Sequence, residues 1–333
     1  MRVALVLLGY AILLGTVGVS VLRRAHWVDR APRLAILAWF ALIASILGSV
    51  VLGGLSLAVP IGQVSGDLAE LLRSCAMALR AQYATPGGAA VGIAGATLAA
   101  AVVMRVACCA VAGIARAALR RHRHRGMLAM VGRHDPRLGA VIVEHDVPAA
   151  YCLPGRRKHV VLTSAALRAL ADDEIVAVLA HERAHLRGHH HIVTGAAAAT
   201  ERAFPFVAAF TAARREVDRL VELLADDTAT RSCSRLAVAD ALLTVAATPA
   251  PAGALGAGGS STAHRVRRLL RSELPLTRTQ RLARILAAAA ILAIPVLVSA
   301  APAVAVTQTN HCPITVQDGT ATPSDLTSSA TPI

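Results

Sequence analysis

The chain has 333 residues, 55% of them hydrophobic and only 3% aromatic, with a mean hydropathy of +0.57. Soluble domains lie nearer roughly 45–50% apolar, so the composition argues for a membrane protein. The net charge of +14 would suggest nucleic acid in a soluble protein, but no aromatic side chains interleave with the arginines to stack bases, and direct nucleic-acid binding is not expected.

The charge is unevenly placed. Between Arg116 and Arg284 lie 26 of the 34 basic residues and 15 of the 20 acidic ones, a net of +11. A basic segment bounded by apolar runs is what the positive-inside rule expects of a cytoplasmic loop. Six cysteines, none in a CxxC pair, are expected to be reduced.

In chain order, residues 3–22 are uncharged and long enough, at roughly 30 Å as a helix, for one crossing. Arg23, Arg24, Arg30 and Arg33 follow this core, whereas a cleaved signal peptide carries its charge before the core. An uncleaved first span with an outer N-terminus is expected. Residues 34–59 form the second span, and 60–88 a short outer loop with no net charge. The third span begins near Ala89. Arg105 interrupts it and is expected to snorkel to the inner interface, with a functional intramembrane arginine as the alternative. The basic run at 120–125 (RRHRHR) marks the inner side and can meet anionic headgroups. Residues 285–306, with Pro295 and Pro302, form the fourth span, and the Thr/Ser/Pro/Ala-rich residues 307–333 an outer disordered tail. The expected layout is three spans in 1–118, a cytoplasmic domain at 119–284, the last span at 285–306 and the tail at 307–333. Both termini lie outside the plasma membrane in this layout.

Within the inner domain, 140–143 and 159–163 read as strands, with Pro154-Gly155 as a turn, and 164–170 as a short helix. Asp172 or Asp173 is placed to cap the next helix, where acids favour the dipole. That helix carries His181-Glu182-Arg183-Ala184-His185. Positions i and i+4 share a helix face, so His181 and His185 can present nitrogens to one metal ion. Glu182 is offset, where its carboxylate can take a proton from a water whose pKa zinc lowers. With 13 His and 8 Glu, such a string arises by chance in about 1% of chains of this length. A catalytically silent membrane scaffold would have no need of Glu182.

Zinc needs a third protein ligand, and two alternatives stand. The string from His181 through Gly188 to His191 fits HExxHxxGxxH, but that pattern also demands a downstream methionine turn, and the last methionine is Met130. The other is Glu222, one helical turn before Asp226, which could hydrogen-bond a ligand imidazole. Glu201, Glu216 and Asp218 lack that arrangement. Residues 192–213 read as a buried helix pair, and 249–261 as a flexible connector. Cys152 reads as a packed small side chain.

HExxH followed by ExxxD, in a loop between membrane spans, resembles the HtpX/CAAX-protease type of membrane gluzincin. The four-span layout resembles more closely the BlaR/MecR regulatory metallopeptidases. Residues 149–155 with 160–163 are similar to their strand pair before the zinc helix, and 263–269 (AHRVRRL) to the short basic helix before their last span. The resemblance implies a mostly α integral membrane protein, with four transmembrane helices and a cytoplasmic α+β zincin-like (gluzincin) peptidase domain. It implies zinc on His181, His185 and Glu222, catalysis by Glu182, and Asp226 supporting a ligand. A substrate peptide would add to the strand of Val160, Val161, Leu162 and Thr163 by its edge. The implied substrate is a cytoplasmic protein, often a DNA-binding transcriptional repressor, cut in response to an outside signal. No counterpart of the Ser-x-x-Lys penicillin-binding domain of those sensors is expected, since Lys158 is the sole lysine of these residues. β-Lactam sensing through such a domain is not expected.

Overall fold

A computed structural model describes residues 1–58, 87–155, 159–246, 257–271 and 275–309, with backbone alone for 257–260 and 302–309. Almost all of the expected outer loop, residues 249–256 of the expected connector and most of the expected tail lie outside the described residues.

The helices and strands run α1 (Arg2–Arg24), α2 (Pro32–Ala58), α3 (Gly88–Val131), β1 (Gly132–Asp135), β2 (Ala140–Val143), β3 (Ala150–Leu153), β4 (His159–Thr163), α4 (Ser164–Ala169), α5 (Asp172–Arg187), α6 (His190–Ala203), α7 (Ala208–Ala229), α8 (Arg235–Ala246), α9 (Ala257–Leu270) and α10 (Arg278–Thr309). The protein is thus mostly helical with a small mixed sheet.

α1, α2, α3 and α10 are long and apolar enough to cross a membrane. α2 is the centre of this bundle and packs against the other three. Where α2 crosses α3, Gly54 and Gly95 lie backbone to backbone. A Cβ on Gly54 would come within 2.6 Å of the Gly95 carbonyl oxygen, and one on Gly95 within 2.5 Å of that of Gly54. Small residues at a crossing let apolar helices approach where lipid offers no hydrophobic drive. Pro295 has no N–H for the carbonyl of Ile291, four residues earlier. The hydroxyls of Ser45 and Tyr10 donate to that carbonyl instead, at 2.7 and 3.1 Å. A backbone group in hydrocarbon needs such a partner.

α3 continues for 44 residues, about 66 Å, so the basic run at 120–125 lies on the same helix as the span. The expected boundaries at 118/119, 284/285 and 306/307 all fall inside continuous helices. The expected connector also ends earlier than residue 261, since α9 begins at Ala257.

The sheet has the order β1-β2-β4-β3, with β2 and β4 parallel and the other pairs antiparallel. β4 is almost wholly buried, as a central strand should be. This corrects the substrate strand. Val161, Leu162 and Thr163 pair with β2, and Val160, Val161 and Leu162 with β3, so β4 lies inside the sheet and offers a peptide no free edge. The edge strands are β1 and β3, and β3 is the edge that lies beside α5. The Thr163 N–H donates to the Ala149 carbonyl at 3.0 Å, which makes 149/163, 151/161 and 153/159 the hydrogen-bonded pairs. Ala150 and Cys152 therefore turn their backbone N–H and C=O groups outward.

α7 joins two cores. Phe210, Val217, Leu220 and Leu223 pack with Leu14, Trp39, Leu42 and Ile46 of the spans. Ala229, at its other end, packs with Ile142, Leu162, Leu179 and Val238 around the sheet. α5 starts without an Asp cap. Ala171 is the N-cap, and its N–H donates to the Glu174 carboxylate at 2.9 Å. Asp172 and Asp173 are instead the first two helical residues, where they still oppose the dipole.

Candidate active site

α5 and α7 cross so that one helical turn of each faces the other. His181 and His185 come from α5, and Glu222 from α7. The two Nε2 atoms are 3.1 Å apart, and the Glu222 carboxylate oxygens lie 3.4 Å from His181 Nε2 and 3.5 Å from His185 Nε2. Tetrahedral zinc with bonds of 2.0–2.1 Å holds its ligand atoms about 3.3 Å apart. The three residues form a group able to hold a metal ion, and their number, chemistry and spacing fit zinc.

The surrounding side chains fix these three. His181 Nδ1 lies 3.0 Å from Asp226 Oδ1, which favours the tautomer that leaves Nε2 free as a ligand. Asp226 is completely buried. Arg265 of α9 forks onto it, Nε to Oδ2 at 2.8 Å and Nη2 to Oδ1 at 2.6 Å, and its Nη1 reaches Glu222 Oε2 at 3.1 Å. Arg268 forks onto Asp227 through Nη1 and Nη2, at 2.7 and 2.9 Å. His190, also buried, places Nδ1 3.0 Å from His185 Nδ1 and so orients the second ligand.

These contacts set the protonation. Burial alone would lower the pKa of His181, but the adjacent Asp226 and Glu222 carboxylates outweigh it and raise the value to about 9. His185 is buried without such an acid and falls to about 4. Asp226 resists burial through Arg265 and His181 and falls to about 2. Burial pushes Glu182 above the usual carboxylate range, nearer to what a base working at neutral pH needs. Burial and the adjacent Glu182 push Cys152 up to about 12. Both effects hold it as a thiol at neutral pH.

Two pockets lie beside β3 and the ligands. On the Ala150 side, a pocket of about 160 Å³ is lined by Ala177, Val178, Val238, Leu242 and Val245 beneath His181 and Glu182. On the other side, Cys152, Pro154, His190 and His191 line the wall opposite Asp218 and Glu222.

Residues 115–285, just over half of the chain, match the sequence model of Peptidase family M48. The chain belongs to peptidase family M48. No curated protein and no solved structure matches it. M48 peptidases are generally zinc metalloproteases, which agrees with the donor set.

In this M48 domain, all the residues expected from HExxH and ExxxD converge. His191 does not join the ligand group, which closes on Glu222. Glu216 and Asp218 pair instead with Arg219 and Arg214. Arg265 and His190 were missed by sequence reasoning. The signal for Arg265 was present: Arg265 and Arg268 have the spacing of one helical turn and face adjacent acids at 226 and 227. His190 was hidden inside a run of three histidines.

Proposed function

We propose that this M48 protein is a membrane-embedded zinc endopeptidase that cuts an extended segment of a protein laid along β3. The observation that carries this reading is the placement of the His181, His185 and Glu222 donors beside an unpaired strand edge and an apolar pocket. The outward N–H and C=O groups of Ala150 and Cys152 would pair with the substrate backbone, and the pocket would take an apolar side chain. His181, His185 and Glu222 would hold zinc, which supplies Lewis acidity toward water and the scissile carbonyl. Glu182 would take the proton from the attacking water and pass it to the leaving amine. Asp226, held by Arg265, would keep His181 in its ligating tautomer.

We place the peptidase domain on the arginine-rich, cytoplasmic side, with both termini outside. The substrate we favour is a regulatory protein of BlaR/MecR type, such as a transcriptional repressor. A physical link supports regulation through the spans. Asp29, in the turn between α1 and α2, accepts from Arg219 at 2.6 Å and lies 3.1 Å from His264 Nε2, and its carbonyl accepts from Arg268 at 2.9 Å. Arg219 stands one turn before Glu222, so movement of the α1–α2 hairpin would reach the ligand helix. The test is to compare new protein N-termini in cells carrying the wild type or Glu182→Gln. One or a few Glu182-dependent cuts in a soluble regulator support the proposal. Many cuts scattered over membrane proteins would replace it with a quality-control role of HtpX type.

A further inference from the structure

Three of the four phenylalanines of this aromatic-poor chain, Phe204, Phe206 and Phe210, lie at one place, the tip of the α6–α7 hairpin. Their ring centroids are 5.8 and 6.2 Å apart. Residues 203–213 around them carry no charge, between Glu201-Arg202 and Arg214-Arg215. Phe210 is buried against the spans, but Phe206 is 79% exposed.

The spans give the depth of this tip. Ala209 packs beside Gly15 of α1: a Cβ on Gly15 would lie 3.9 Å from that of Ala209 and 4.0 Å from Ile46 Cδ1. Gly15 is nine residues inside Arg24, about 14 Å along the helix. On the opposite side, Arg105 Nε donates to the carbonyl of Ala203, the last residue of α6. Arg105 is eleven residues inside Arg116, about 16 Å. Two spans thus hold the tip at one level, half the thickness of a hydrocarbon layer of about 30 Å inside Arg24 and Arg116, with Arg23, Arg215 and Glu216 bounding the pocket beside Phe206.

From this we infer that the α6–α7 hairpin re-enters the bilayer, and that the Phe206 face of its tip is a docking surface for lipid acyl chains. The chemistry of Arg105 fits this placement. A helix that ends in hydrocarbon has orphan carbonyls that water cannot reach, and Arg105 supplies a donor and a positive charge at the negative end of the α6 dipole. The inference stands apart from the peptidase reading, since neither zinc nor catalysis enters it.

Two measurements on the full chain in phosphatidylcholine vesicles test it. In the first, Phe206→Trp and Ile192→Trp are compared with the wild type, whose Trp27 and Trp39 give the background. The added Phe206→Trp emission should be blue-shifted, quenched severalfold by lipid brominated along its acyl chains, and untouched by acrylamide. Ile192→Trp, about 21 Å away at the hairpin base and 59% exposed, should show the reverse. In the second, the wild type is labelled with a photoactivatable acyl-chain probe and digested with trypsin, which frees residues 203–214 as one peptide. Labelling of that peptide together with the span peptides supports the inference. An acrylamide-quenched Phe206→Trp, or an unlabelled 203–214 peptide beside labelled spans, overturns it.

Discussion

Asp226 has no exposed surface and stays ionised, and Arg265 is what makes that tolerable. Removing one partner of a buried pair leaves an uncompensated charge, so Arg265→Ala should destabilise the domain by about 3–5 kcal/mol in chemical unfolding. Arg265→Lys should recover only part of this, because an ammonium cannot fork onto a carboxylate. The same network governs metal uptake. Without metal, His181 holds its proton up to about pH 9, whereas His185, at about 4, is already neutral. Zinc must displace the His181 proton, so binding at pH 7 should release about one proton per site and tighten about tenfold per pH unit up to about pH 9. Calorimetry in buffers of different ionisation enthalpy reads this directly, and no proton release would contradict it. Cys152, at about 12, should resist alkylation at neutral pH in the folded protein, and Cys152→Ala should keep zinc. The ligand spacing was legible in the sequence because a helix fixes what lies one turn away. Arg265 and His190 were not, because their contacts depend on how helices cross, which no local pattern encodes.

Among the elements, the four long apolar helices and the HExxH helix follow from hydropathy and from 3.6-residue periodicity. β1 does not: Gly-Arg-His-Asp has no apolar alternation and is a strand only because β2 offers it an edge. The substrate strand failed for a related reason. An apolar run such as 160–163 marks a buried strand, and a buried strand is the one without a free edge. The unbroken course of α3 was obscured because charge ends a span but not a helix. At the α2–α3 crossing, Gly54→Leu should lower thermal stability markedly, since its first added carbon meets backbone that cannot yield. Gly48→Ala in the same helix meets nothing within 4 Å and should be tolerated. Equal effects of the two would remove the close crossing from the account.

At the scale of the whole molecule, α5 and α7 and the four long apolar helices are one packed structure. α7 runs from the level of Gly15 to Glu222, and the Asp29 cluster ties the α1–α2 turn to the helices that carry Glu222 and Arg265. Four apolar helices should keep the protein in the membrane through high-salt and alkaline washes, and release by either would contradict the span assignment. Asp29→Ala should leave the fold in place at a cost of about 1–3 kcal/mol, since the cluster is partly exposed, while loosening this link.

The most direct test of the central claim is zinc content together with proteolysis of casein, measured on detergent-purified wild type, Glu182→Gln and Glu222→Gln. The account predicts that the wild type binds one zinc and cuts. Glu182→Gln should keep the zinc but lose roughly 10²–10⁴ in rate, and Glu222→Gln should lose both. A wild type that binds no zinc, with neither substitution altering anything, would contradict it.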